Sequence, residues 1–212
     1  CFSPAELVYT SDGQVWRRGI ADAARRPVHL FAAVAVETHA PPADAGTVAP
    51  GTTHAALGIA DVAAAADARR TAFTALGDLW LTERGRVERL TDDAFVEIDP
   101  ALAPDGESIV FASDRSGNLN LWRLLLPTRS LLQLTFDARK AFAPALSPEG
   151  RRVAYLSTDG LGPWDSSELR VLDLGSAEAR TVARGLVDAQ TTAWDSPGAS
   201  ILVTAAKHGV GR

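Results

Sequence analysis

The stretch Asp99-Pro100-Ala101-Leu102-Ala103-Pro104-Asp105-Gly106 returns as Ala143-Pro144-Ala145-Leu146-Ser147-Pro148-Glu149-Gly150, 44 residues further on. Leu90-Thr91 recurs as Leu134-Thr135 at the same spacing. Self-similarity at a fixed period is the signature of a repeat architecture, in which each unit is one supersecondary element stacked on its neighbours. The Pro-Asp-Gly and Pro-Glu-Gly triplets are turn chemistry: proline presets φ and glycine accepts the positive φ that follows. Each turn feeds a run rich in Ile, Val, Phe and Tyr, residues that suit a pleated surface.

Working outward, a short β-rich run ending in a small residue occurs five times, around Tyr9, Phe73, Phe111, Tyr155 and Val203. A second run follows the first four, as Gln14-Val15-Trp16-Arg17, Asp78-Leu79-Trp80-Leu81, Asn120-Leu121-Trp122-Arg123 and Glu168-Leu169-Arg170-Val171. The five markers are 64, 38, 44 and 48 residues apart. Three of these spacings sit near the roughly 40–50 residues of a propeller blade. The longest spans a segment from Glu37 to Ala66, rich in Ala, Pro, Gly and Thr, which reads as a surface insertion with a weak innermost strand near Ile59 to Ala64. Asp114-Arg115-Ser116-Gly117-Asn118 and Pro127-Thr128-Arg129 are further breaks, so one repeat reads as four strands joined by three turns. The strands are near-continuously apolar, as expected where both faces of a sheet are covered.

These features predict an all-β chain, a β-propeller of four-stranded antiparallel blades forming an incomplete ring of about three whole and two partial blades. The expected divisions are a partial blade at 1–36, an insertion at 37–60, blades at 61–91, 92–135 and 136–183, and a partial blade at 184–212, all one domain. The first and last runs read as the same, second strand of a blade, which implies a parent ring of at least five blades. Cys1 then reads as the start of a fragment; the rival reading, a processed lipoprotein terminus, is opposed by strand-like sequence beginning at Leu7 with no polar tether. An open ring exposes blade faces, so self-association is expected.

Composition narrows the function classes. Hydrophobic residues make up 46% and charged residues 22%, the balance of a globular domain. The net charge is −5 and no basic run exceeds a dipeptide, which leaves no footprint for a nucleic-acid backbone or an anionic membrane surface. No apolar run approaches the roughly 18 residues of a membrane span. With one cysteine, no disulfide forms within the chain.

A search for catalytic chemistry finds none. The four histidines, His29, His39, His54 and His208, have no His partner at helical or alternate-residue spacing, so no metal set is indicated. There is no Gly-x-Ser-x-Gly elbow, and neither Gly160-Leu161-Gly162 nor Gly209-Val210-Gly211 is followed by the Lys-Ser/Thr of a phosphate loop. Trp164-Asp165 and Trp194-Asp195 lack the Gly-His partner of a WD repeat. What remains is a binding surface. The loops before each innermost strand carry Asp92, Asp93, Glu97, Asp137, Arg139, Lys140 and Asp188, a mixed-charge set of candidate channel-rim contacts. Asp114 and Arg115 read instead as turn and blade-packing groups.

The proline and Asp105-Gly106, followed by Ile109 to Asn118 and closed by Gln133-Leu134-Thr135, resemble the TolB-type (WD40-like) propeller repeat. Ala72-Phe73-Thr74-Ala75-Leu76-Gly77-Asp78-Leu79-Trp80, with the opening Leu7 to Arg18, is similar to the propeller that precedes metal-dependent amidohydrolase domains. The repeat resemblance covers about residues 60 to 205. It departs at Glu149, where the pattern has Asp, and in the degenerate Asp195-Ser196-Pro197-Gly198. The resemblance implies a non-catalytic interaction or substrate-gating module of a larger hydrolase, with no cofactor here and a divalent metal in the parent's catalytic domain. Its partners would be a hydrolase domain in cis or another protein, in a periplasmic or extracellular setting. Two rivals are a stand-alone envelope binding protein and the propeller of a prolyl-oligopeptidase-like serine peptidase.

Overall fold

The computed structural model describes residues 6–11, 14–19, 25–28, 58–65, 69–160 and 166–206. Cys1, His29, His39, His54, His208, Leu161-Gly162, Trp164-Asp165, Gly209-Val210-Gly211 and most of the expected insertion lie outside the described residues. Those described form sixteen strands and no helix. The first sheet contains β1 (Glu6–Ser11), β2 (Gln14–Gly19) and β3 (Arg25–Val28). The second contains β4 (Ile59–Ala64), β5 (Arg70–Ala75), β6 (Asp78–Glu83) and β7 (Arg86–Arg89). The third contains β8 (Glu97–Leu102), β9 (Ser108–Ser113), β10 (Asn120–Leu125) and β11 (Ser130–Gln133). The fourth contains β12 (Lys140–Leu146), β13 (Arg152–Thr158), β14 (Ser166–Asp173), β15 (Ala179–Trp194) and β16 (Ile201–Ala206). Every pairing is antiparallel and between consecutive strands, which makes each sheet a meander. The sheets are the blades of an incomplete propeller ring.

Alternate side chains of one strand serve two different interfaces. Ile109 and Phe111 of β9 join Ala72, Leu79 and Leu81 of the preceding blade. Val110 and Ala112 of the same strand join Ala141, Val153 and Tyr155 of the following blade. All six residues of β9 are buried as a result, which is why its sequence shows no polar alternation. A third cluster packs Ala154, Leu156, Leu169 and Val171 against Trp194, Ile201 and Val203.

The connection from the fourth unit onward differs from the separate blades expected. Loops at 90–96 and 134–139 lead into β8 and β12, whereas β15 runs for 16 residues, pairing first with β14 and then with β16. It serves as the outer strand of one blade and the inner strand of the next, so the boundary placed at 183/184 falls inside it. Residues 179–194 carry no proline and only Gly185 as a breaker, so the ladder continues with a slip in register between Val187 and Thr191. Asp188 therefore lies within a strand and not in a loop, with φ of 49°.

Candidate functional site

Two regions carry polar groups that strand order brings together: the channel bounded by the inner strands, and the end of the ring at the connections into β8 and β12. In the channel, β4, β8 and β12 each slip register once, between Ala60 and Ala63, Ile98 and Ala101, and Phe142 and Ala145. At each slip one residue takes a positive φ: Asp61 (47°), Asp99 (52°) and Ala143 (49°). These bulges turn the amides of Asp99 and Ala143 toward the preceding blade and the side chains of Asp61 and Asp99 toward the next one. The Asp99 amide donates to Asp61 Oδ2 at 3.3 Å, and the Ala143 amide donates to Asp99 Oδ2 at 2.9 Å. Thr74 Oγ1 also donates to Asp61 Oδ2, at 3.2 Å, and Thr192 Oγ1 donates to the Ala143 carbonyl at 2.7 Å. A chain of hydrogen bonds thus runs from blade to blade around a space of about 250 Å³, lined among others by Asp61, Asp99, Ala143, Gln190 and Thr191. Burial pushes the Asp99 carboxyl up to about 6, against the lowering effect of the Ala143 N–H and with Asp61 adding to the rise.

At the end of the ring, the loop 90–96 is clipped on both sides. The Glu97 amide donates to the Gly77 carbonyl at 2.8 Å, and the Val96 amide donates to Asp114 Oδ1 at 3.0 Å. Asp93 Oδ1 accepts from the Phe95 amide at 3.0 Å. Beneath the loop, Arg115 Nη2 lies 2.5 Å from Glu97 Oε1, while Thr91 Oγ1 donates to Glu97 Oε2 at 2.6 Å. The Arg115 guanidinium also lies 5.4–5.8 Å from the ring centroids of Phe95, Phe111 and Trp122. Burial raises the Glu97 carboxyl, opposed by the bonds from Thr91 and Arg115.

The candidate rim residues take different places. Asp92 is exposed and pairs with Arg89 at 2.7 Å, and Asp93 lies 3.3 Å from Arg115. Glu97 is buried, its carboxylate occupied by Thr91 and Arg115. Asp137 pairs with Arg170 at 2.5 Å, and Arg139 with Asp159 at 3.2 Å. Lys140 opens β12 half-buried, and Asp188 accepts from Gln190 Nε2 at 3.0 Å. The structure thus brings Asp92 and Asp93 together around one loop and Asp137 and Arg139 around the next, with Asp188 apart on β15. Asp114 and Arg115 act as turn and packing groups.

Reading by loops passed over Asp61 and Asp99, which line the channel from within strands. The signal lay in the repeat itself: Asp61, Asp99 and Ala143 each stand twelve residues before Phe73, Phe111 and Tyr155. Among the described residues, no group of three or more His, Cys, Asp or Glu side chains is placed to hold a metal ion. No helix among them is long and apolar enough to cross a membrane.

The blade order and channel define a TolB-like β-propeller domain. No protein-family model matches the chain. Over 96 residues it is 31% identical to the Tol-Pal system protein TolB of Anaeromyxobacter dehalogenans, a match covering 45% of this chain and 21% of that protein. Among solved structures, TolB from Acinetobacter baumannii superposes with a TM-score of 0.66 at 16% identity, over 93% of this chain and 45% of that one. A puromycin hydrolase superposes with a TM-score of 0.62 at 18% identity, over 96% of this chain and 40% of that one. The chain thus matches about a fifth of that curated TolB and less than half of either solved chain.

Proposed function

We propose that this chain is a non-catalytic propeller module through which a larger protein docks a protein partner or a hydrolase domain, and screens what reaches it. The observation that carries this reading is the loop end of the ring. Leu76, Phe95, Val96 and Phe136 are exposed there, on connections held at both sides by hydrogen bonds. Exposed apolar side chains gathered at one end and rimmed by polar groups mark an interaction surface. The resemblance to amidohydrolase-linked propellers makes a metal-dependent amidohydrolase the first parent, with its divalent metal in the catalytic domain and a periplasmic or extracellular setting. A serine peptidase parent is the second reading, supported by the likeness to puromycin hydrolase over 96% of the chain.

The test is to read the coding DNA onward from the codon for Arg212. A metal-ligand His-x-His motif supports the amidohydrolase parent, and Gly-x-Ser-x-Gly supports the peptidase. A stop soon after ring closure would overturn both and leave a stand-alone binding module.

A further inference from the structure

The loop end of the ring has a charge asymmetry that its ion pairs conceal. Arg89 is shared between buried Asp78, at 2.6 Å, and exposed Asp92, at 2.7 Å. Arg115 is likewise shared between buried Glu97 and outlying Asp93. Here two arginines hold four carboxylates. Arg139 and Arg170 continue the pattern toward Asp159 and Asp137. In each of the four pairs with an outlying aspartate, the guanidinium is the inner partner. The arginine side chains are 33%, 8%, 30% and 17% exposed, against 81%, 34%, 78% and 50% for Asp92, Asp93, Asp159 and Asp137. Arg184 is the exception, an exposed cation on the outer strand β15 that pairs with the more buried Glu168. At the opposite end, Arg70–Glu83 and Arg152–Glu149 expose both partners almost equally, at 31% against 41% and 32% against 38%.

Around the connections into β8 and β12, the ion pairs therefore turn their carboxylates to solvent and keep their guanidiniums beneath, with half-buried Lys140 at the start of β12 standing outside these pairs. Each outer carboxylate has spent one oxygen on its arginine and has acceptor capacity left. Within this acidic rim stand Leu76, Phe95, Val96 and Phe136. The other large apolar side chains exposed among the described residues belong to strands: Leu131, Leu132, Val182 and Leu202.

Resting on the docking function proposed above, we infer that this end receives a basic, hydrophobic peptide segment, with Lys or Arg side chains interleaved with large apolar ones. The basic groups would meet Asp92, Asp137 and Asp159 while the apolar ones cover Phe95, Val96 and Phe136. Complementary charge of this kind steers encounter and fixes register. Nucleic acid and anionic lipid would meet like charge here, as would the same end of a second copy.

The test uses the chain itself and a fluorescein-labelled peptide of lysine and phenylalanine spaced by glycine and serine. Its counterpart carries glutamate at every lysine. Fluorescence anisotropy should show binding of the lysine peptide only. Asp92→Asn with Asp159→Asn should weaken it about tenfold at low salt, and less near physiological ionic strength. Phe136→Ser should weaken it at both. Glu83→Gln with Glu149→Gln, at the opposite end, should leave it unchanged. All these side chains are at least partly exposed, and thermal melts of each variant check that the fold is kept. Equal binding of both peptides, or no loss in the Asp92/Asp159 variant, overturns the charge assignment while a Phe136→Ser loss keeps the docking surface. No binding of either peptide overturns this assignment, whereas the DNA reading separately tests the parent's identity.

Discussion

Glu97 illustrates how strand geometry decides what a charged residue does. As the first residue of β8, paired with Ser113, it turns inward, and its carboxylate is completely covered. A buried charge persists only with close partners, and Arg115 and Thr91 supply them. Arg115→Ala should destabilise the fold by about 3 kcal/mol, since it strands a buried carboxylate. Adding Glu97→Leu should recover part of that loss. Urea unfolding checks both, and a loss under about 1 kcal/mol for Arg115→Ala would show that Glu97 is not held by this pair. Asp99 makes a pH-dependent contribution to stability. Its carboxyl is raised from 3.8 to about 6, so the fold favours the protonated form. That contribution is fully present below about pH 4 and is lost as the pH rises through about 6. Asp99→Asn removes the titration while leaving an acceptor for the Ala143 amide. Wild type should therefore lose more stability than the variant between pH 4 and 7, with an upper bound of about 3 kcal/mol. Parallel pH profiles in chemical unfolding would refute the assignment. Asp61 also faces this site and is common to both proteins, so its influence stays in the comparison.

Between elements, the first position of the second strand recurs as a link to the next blade. Arg70, at the start of β5, donates through Nη1 to the Gly106 carbonyl in the next blade's turn. Arg152, at the start of β13, donates through Nη2 to the Gly198 carbonyl at 3.0 Å and lies 4.5 Å over the Trp194 ring. Both glycines have φ near 70°, a conformation that keeps the turn tight and its carbonyl aimed back at the preceding blade. The middle blade has Ser108 at this position, and there Gly150 instead approaches the Pro104 ring. Arg152→Met keeps much of the apolar stem and removes the hydrogen bond and the cation over Trp194. It should cost about 1–2 kcal/mol, read as a lowered melting temperature. An unchanged melt would mean that the latch contributes nothing. The turn triplets were legible because proline and glycine dictate backbone geometry locally. The arginine latch was not, because it joins residues 36 and 46 positions apart.

For the whole molecule, the consequence of an open ring is surface that another blade would cover. Leu202 on β16 is exposed while its neighbours Ile201 and Val203 pack inward against Trp194 and Leu169. The chain should self-associate as its concentration rises, and Leu202→Lys should shift it toward monomer, measured by sedimentation velocity. A wild-type chain that stays monomeric would count against an uncovered blade face.

The sequence by itself determined the repeat, its four-strand unit, the turns and the near-continuous apolar strands, because these depend on local backbone preference and a two-residue side-chain period. Even the weak strand at Ile59–Ala64 was readable. Only the tertiary structure decided which charges point outward. Glu97 and Asp93 lie four residues apart, yet one is buried and the other reaches the surface. Asp61 and Asp99 line the channel through bulges, and β15 continues through the place where a loop was expected. The channel contacts join residues 38 and 44 positions apart and close only once the blades stack, and even the Arg115 partner of Glu97 lies 18 positions away.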